Sequence, residues 1–189
     1  KKQHHENHFT NIGEKTAIDW KGKTITTGVF KYPIKEAIFL GTENVLNDEI
    51  SDRKHHGGID QAVYGYSLKH YDYFKKLHPN LDWQLGMFGE NLTVDDLDET
   101  KTHVGDTFKV GETILEVTTI RTPCYKLGIR FNDSNIIQQF WNTNMCGVYF
   151  KVLQTGFVKA GDIFEQLKSC PENQTIAEVY EAKRVGKGT

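Results

Sequence analysis

A mainly β, barrel-like domain with a few interspersed helices is the fold class this sequence predicts, on three observations. Short runs rich in valine, isoleucine, threonine and phenylalanine recur along the chain, bounded by glycine. The clearest is GDTFKVGETILEVTTI (105–120). There Phe108 and Val110 alternate with polar residues, Gly111-Glu112 makes a turn, and Ile114, Leu115, Val117 and Ile120 carry the return strand. The phrase Gly-Asp-x-Phe occurs at 105–108 and again at 161–164, and reads as a repeated entry from turn into strand.

Taken in order, the first eight residues, KKQHHENH, are polar and read as a leading tail. TITTGVF (24–30) and EAIFLG (36–41) read as strands on either side of Tyr32-Pro33. SLKHYDYFKKLH (67–78) reads as a helix: Ser67 is a candidate cap, and Leu68, Tyr71, Phe74 and Leu77 share one face. A second helix, 133–142, carries Ile136, Ile137, Phe140 and Trp141 as its apolar stripe. CGVYFKVLQTG (146–156) and AGDIFEQL (160–167) read as a second β pair. The polar, proline-bearing 168–174 reads as a linker, and the helix 175–184 opens on Thr175 and Glu178 at capping-box spacing. A lone helix cannot bury its apolar face, so 168–189 is expected to begin a second, truncated unit beside a barrel domain spanning 1–167.

The 189 residues suffice for one full-sized core. Twenty-three basic against 25 acidic residues give a formal net charge of −2, which excludes bulk attraction to nucleic acid or a membrane surface. Any basic pocket must be local. No apolar run approaches the roughly 20 residues that span a bilayer, and no secretory signal peptide is evident. Cys124, Cys146 and Cys170 are too widely spaced for a disulfide framework or a CxxC knuckle and suit a reducing cytoplasm, the expected location.

Chemistry-bearing groups concentrate in three stretches. In DRKHHGGIDQAVYGYS (52–67), Arg53, Lys54, His55 and His56 precede Gly57-Gly58, and Asp60 follows. Paired glycines let the backbone approach a ligand and can aim successive N–H groups at an anion, while the basic neighbours add charge-assisted bonds to a phosphate. A solvated loop with a glycine turn is the plain alternative. Zinc is disfavoured: adjacent histidines on an extended segment face opposite ways, and His70, His78 and His103 supply no third ligand at a clear spacing. In GMFGENLTV (86–94), Phe88 anchors a two-glycine loop, and Asn91 can donate and accept at once, as reading a heterocycle edge or a metal-oxo oxygen requires. The plain alternative is a tight turn.

The third stretch is IRTPCYKLGIRF (120–131), in which Cys124 stands at the end of a run that reads as a buried strand. Pro123 restrains Thr122 to extended geometry and holds Cys124 rigidly where the strand ends. Arg121 and Lys126 flank the thiol, and a nearby cation favours the thiolate, a nucleophile and a soft metal ligand. Cys146 reads as a buried structural cysteine and Cys170 as incidental.

In this order and spacing, HHGGIDQAVYGYSLKHY, GMFGENLTV, VGDTFKVGETILEVT and RTPCYKLGIRF resemble the MOSC domain (molybdenum cofactor sulfurase C-terminal), in its bacterial YiiM-like branch, from about Ile25 to Leu167. CPENQTIAEVYEAKR is similar to the start of the small three-helix unit that follows that domain, of which only the first helix is present. The resemblance implies a β-barrel, binding of the pterin-based molybdenum cofactor (molybdopterin), and the associated property of pyridoxal phosphate binding. It implies that Cys124 binds molybdenum or carries sulfur and that Asn91 lines the cofactor pocket. YiiM-like members are linked to molybdenum-dependent reduction of N-hydroxylated compounds, notably hydroxylaminopurines. Relatives commonly carry lysine or arginine after the motif's aspartate, where this chain has Gln61 after Asp60. That cation is missing here or is supplied by Arg53, Lys54 or Lys126.

The leading expectation is therefore an oxidoreductase. Cys124 holds molybdenum, the loops around Gly57-Gly58 and Asn91 grip the pterin phosphate with Arg121 nearby, and Lys126 or His55 delivers a proton. A small N-hydroxylated substrate and a redox partner supplying two electrons are the expected partners, with no nucleic acid and no membrane; a homodimer is compatible. The alternatives are a sulfur or cofactor carrier without turnover and a non-catalytic interaction module.

Overall fold

The computed structural model describes residues 4–48 and 58–186. In chain order its strands are β1 (His4–Gly13), β2 (Thr16–Trp20), β3 (Lys23–Thr27), β4 (Lys31–Ile34), β5 (Ile38–Leu40), β6 (Val63–Ser67), β7 (Leu92–Val94), β8 (Thr107–Val110), β9 (Thr113–Ile120), β10 (Val148–Gln154), β11 (Gly156–Val158) and β12 (Ile163–Lys168). The helices are α1 (Leu68–Leu77), α2 (Tyr125–Phe131), α3 (Asn135–Trp141) and α4 (Ile176–Gly186), with a 3₁₀ turn at Ile59–Gln61.

The sheet runs β12-β8-β9-β10-β6-β7-β1, and β1 pairs back onto β12, closing a barrel. Closure removes the sheet edges that an open mainly β domain would expose. The β6–β7 pair is parallel and the other barrel pairs are antiparallel. β4 extends the far half of β1, while β2–β3 and β5–β11 form separate two-stranded ribbons. The expected mainly β barrel with interspersed helices is thus the observed architecture.

One local expectation is corrected, and two further segments are placed. The polar N-terminal residues are no tail: from His4 they form β1, the strand that closes the barrel. Its buried positions Asn7 and Asn11 are polar, and their amide nitrogens are held by hydrogen bonds, while both Oδ1 atoms are buried without a partner among the described residues. Asn7 Nδ2 donates to Lys159 O (3.0 Å) and Asn11 Nδ2 to Thr93 Oγ1 (2.9 Å). The buried strand ends before Cys124, and the segment after it, to which the sequence assigned no element, is helix α2, whose Leu127 and Phe131, four residues apart, are buried. Residues 168–174, between β12 and α4, are packed on the barrel. Cys170 is buried, its N–H donates to Asp106 Oδ1 (2.7 Å), and Asn173 Nδ2 donates to Val104 O (2.7 Å).

The C-terminal helix finds a partner for its apolar face. Ile176 and Tyr180 are buried, and the Tyr180 ring stacks on Trp141 of α3 at 5.0 Å. Its capping box forms as expected: Thr175 N–H donates to Glu178 Oε2 (2.8 Å), and Glu178 N–H to Thr175 Oγ1 (3.2 Å). Ser67 precedes α1 without capping it, and accepts the Leu97 N–H instead (3.3 Å). Between barrel and helices, Phe88 packs against Tyr66 (4.3 Å between centroids), Phe74 (5.0 Å) and Phe131 (5.2 Å). This aromatic layer holds the 86–91 loop and α2 against β6.

Candidate functional site

Beyond Ile120 the chain leaves β9, and Pro123 carries it in extended geometry to Cys124, the N-cap residue of α2 (φ −127°, ψ 170°). The carbonyl of Cys124 accepts the Leu127 N–H (2.9 Å), which fixes the backbone, and its side chain is partly exposed. A thiol held this way is both rigid and reachable.

Arg121 is buried beside it, at 8% exposure. Its guanidinium lies 5.0 Å from the Tyr64 ring centroid. On another side it meets Gly89, where an added Cβ would come within 3.3 Å of Nη1; Gly89 has φ +80°, so that position is closed to a side chain on both counts. Among the described residues no carboxylate pairs with Arg121. Burial works against its charge, but Tyr64, Tyr149 and Cys124 together outweigh that and raise its pKa. By the same coupling, the buried cation favours negative charge on the Cys124 sulfur.

Tyr64 and Tyr149 complete the cluster. Their rings lie 5.0 Å apart, and the Tyr64 hydroxyl donates to Cys146 O (2.7 Å). Gly147 makes room for this, since a Cβ there would lie 2.5 Å from the Tyr64 hydroxyl, at φ +69°. Burial pushes the Tyr149 phenol up; Arg121 partly offsets this and Cys124 adds to it, so Tyr149 is a neutral donor at ordinary pH.

Asn91 is placed close by but is heavily committed to the chain itself. Its Oδ1 accepts the Tyr64 N–H (3.2 Å), and its Nδ2 donates to Asp48 Oδ2 (2.8 Å) and Asn11 O (3.4 Å). Its backbone bonds both Tyr64 O and the Asn11 N–H. Asp48 also takes the Gly13 N–H on Oδ1 (2.8 Å) and a buried ion pair from Lys31. The 86–91 loop is therefore a brace tying β1, β6 and Asp48 together, with Asn91 at its centre. Next to it Glu90 is wholly buried: its Oε1 accepts from Tyr71, Gly86 N–H (3.0 Å) and Thr93 (3.0 Å), and burial raises its pKa.

Of the remaining residues expected at the site, Arg53, Lys54, His55, His56 and Gly57 lie outside the described residues. Gly58 is exposed with φ +86°, the left-handed region that favours glycine. Asp60 is exposed, and its carbonyl accepts the Thr118 hydroxyl on the outer wall of the barrel. Lys126 occupies the first turn of α2, partly exposed. Among the described residues no group of three histidine, cysteine, aspartate or glutamate side chains is arranged to hold a metal. What does fit a soft metal bound through sulfur is the Cys124 thiol beside the buried cation Arg121.

Tyr64, Tyr149 and Gly147 are the members that sequence reasoning missed. In CGVYFKV the alternation that buries Val148 and Phe150 turns Tyr149 to the opposite face, a signal that was present.

The MOSC domain family model matches residues 52–165. The chain is 36% identical over 157 residues to the uncharacterized protein YflK of Bacillus subtilis, covering 83% of this chain and 71% of that one. It is 34% identical over 154 residues to protein YiiM of Escherichia coli, covering 80% and 68%. It is 32% identical over 150 residues to a reductase of Gibberella moniliformis, covering 78% of this chain and 27% of that protein. Among solved structures, YiiM from Geobacillus stearothermophilus matches with TM-score 0.79 at 22% identity, over 98% of this chain and 86% of that one. YiiM from Escherichia coli matches with TM-score 0.69 at 27% identity, over 91% and 75%.

Proposed function

Because this chain belongs to the MOSC domain family, which is associated with molybdenum cofactor binding, we propose that it holds a molybdopterin-type cofactor through Cys124 and reduces N-hydroxylated compounds such as hydroxylaminopurines. The observation that carries the reading is Arg121: a buried cation without a carboxylate partner among the described residues, set beside a partly exposed thiol. An isolated buried charge is costly, and a metal-bound thiolate or an anionic ligand offsets that cost. The Gibberella protein's name, reductase, supports the redox reading.

The reaction is R–NHOH + 2 e⁻ + 2 H⁺ → R–NH₂ + H₂O, with the N–O bond broken and the electrons delivered by a redox partner. When bound, the cofactor supplies a two-electron redox centre that no side chain provides. The chain's own residues do the rest. Cys124 holds the metal, Arg121 keeps charge paired at that sulfur, and Tyr149 and Lys126 are the proton donors placed near it. Asn91 acts as a positioning residue through Tyr64 and Asp48. Arg53, Lys54, His55 and the Gly57-Gly58 pair take the pterin phosphate.

The test is reduction of 6-hydroxylaminopurine by cofactor-loaded protein with a chemical electron donor. Wild type turns over and Cys124→Ser does not, while Arg121→Met loses about tenfold or more in kcat, the scale of one charge-stabilising contact. A labile sulfur on Cys124 with no reduction in the wild type is the result of a carrier and overturns the proposal.

A further inference from the structure

A groove of about 490 Å³ lies on the outer wall of the barrel, lined by Asp60 and Gln61, by Glu116, Thr118 and Thr119 of β9, and by Lys151 of β10. It adjoins the Cys124 cluster through the sheet register. Thr119 lines the groove and is the cross-strand partner of Tyr149, which is electrostatically coupled to Cys124. Tyr149 and Lys151 are two apart on β10 and so share one face. The register shifts at this point, where Thr118 is the extra residue. Its hydroxyl lies between the carbonyls of Asp60 and Tyr149, fixing the Ile59–Gln61 turn as the groove's rim.

The lining has a definite chemistry. Lys151 Nζ donates to Glu116 Oε1 at 2.9 Å, both side chains being about one-third exposed (30% and 27%). That leaves further Lys151 protons, the second Glu116 oxygen and the Gln61 amide to present donors and acceptors side by side. Among the described lining residues two carboxylates, Asp60 and Glu116, face one ammonium, a net negative set that disfavours phosphate and carboxylate groups and favours a neutral ligand rich in N–H donors.

We propose that this groove is the recognition subsite for the heterocyclic part of the substrate, and that it takes an uncharged amino-heterocycle, free base or nucleoside, in preference to a nucleotide. Glu116 and Lys151 are its specificity-determining residues: the carboxylate accepts from an exocyclic amine and the ammonium donates to a ring nitrogen, the paired edge that aminopurines display. The choice of ligand class rests on the N-hydroxylated-substrate reading.

The test uses metal-free protein and adenine, the amine that reduction of 6-hydroxylaminopurine yields, so it is independent of cofactor loading and of turnover. Backbone amide shifts are followed during titration with adenine and, separately, with adenosine 5′-monophosphate. The groove predicts saturable shifts at Gln61, Glu116, Thr119 and Lys151. Binding weakens about fivefold or more in Glu116→Gln and in Lys151→Met, is unchanged in Lys69→Met, a surface lysine outside the groove, and is about tenfold weaker for the monophosphate. Both groove variants change partly exposed side chains, and retained far-UV circular dichroism and Tm confirm their folding. Absent or non-saturable shifts, unaltered affinity in both folded variants, or equal binding of the monophosphate each overturn the proposal, while leaving the assignment of Cys124 untouched.

Discussion

The guanidinium of Arg121 lies 5.0 Å from the centre of the Tyr64 ring, and this contact organises the whole cluster. Tyr64 is itself fixed at its hydroxyl by Cys146 O and at its N–H by the Asn91 side chain. The cation beside Cys124 is therefore held by a chain of contacts that reaches from Cys146, just ahead of β10, through β6 to the 86–91 loop.

Tyr64→Phe keeps the ring under Arg121 and removes only the hydroxyl. It leaves the buried Cys146 carbonyl without that donor, and costs about 1–2 kcal/mol in urea unfolding. Tyr64→Leu also loses the cation–π contact and costs more, about 2–4 kcal/mol. Equal losses in the two variants would show that the ring face does not support Arg121.

Gly147→Ala meets two obstacles at once: φ +69° and a Cβ 2.5 Å from the Tyr64 hydroxyl. The expected loss is about 2–4 kcal/mol, with Tyr64 displaced. Gly161, also at positive φ (+90°) but with no atom within 4 Å of a built Cβ, is the control. Gly161→Ala carries only the backbone penalty, about 1 kcal/mol. A Gly147→Ala cost no larger than this would contradict the packing account.

Glu90 gives a pH prediction. Burial raises its folded pKa above the ordinary carboxylate value of 4.5, so its contribution to stability is fully present below that value. The contribution is lost as pH rises through the folded pKa. Glu90→Gln keeps the Oε1 acceptor for Tyr71, Gly86 and Thr93 and cannot ionise. The variant should match wild type near pH 4 and gain on it towards neutrality, read as the difference in urea midpoint against pH. A constant difference across that range would rule out a raised Glu90.

Asn91→Asp places a second carboxylate where an amide nitrogen now sits 2.8 Å from Asp48 Oδ2. Like charges at that distance in a buried site are strongly unfavourable. The variant should be destabilised by about 2–4 kcal/mol at pH 7 and recover much of that near pH 4, where one carboxylate takes a proton. Thermal unfolding at the two pH values decides it; a loss independent of pH would remove Asp48 as the partner that matters.

Much of the barrel was legible because its strands obey simple rules. The 105–120 hairpin alternates in burial as its side chains alternate in polarity, and its turn falls at Gly111-Glu112. The C-terminal helix announced its start through Thr175 and Glu178. β1 was hidden because Asn7, Thr10 and Asn11 are buried polar residues, which hydropathy patterns read as surface. α2 was hidden because seven residues containing Gly128 and following Pro123 carry weak helical signal. Cys124 and Arg121 could be singled out from local chemistry. Tyr64 and Tyr149 join them only through strand register, which distant segments set together.

The central claim is that Cys124 is the ligand of a molybdenum centre. Elemental analysis of molybdenum, in protein produced in cells with intact cofactor synthesis, tests it directly with wild type beside Cys124→Ser. The account predicts near-stoichiometric metal in the wild type and its loss in the folded variant. Equal metal in both, or none in the wild type with cofactor supply verified, would contradict it.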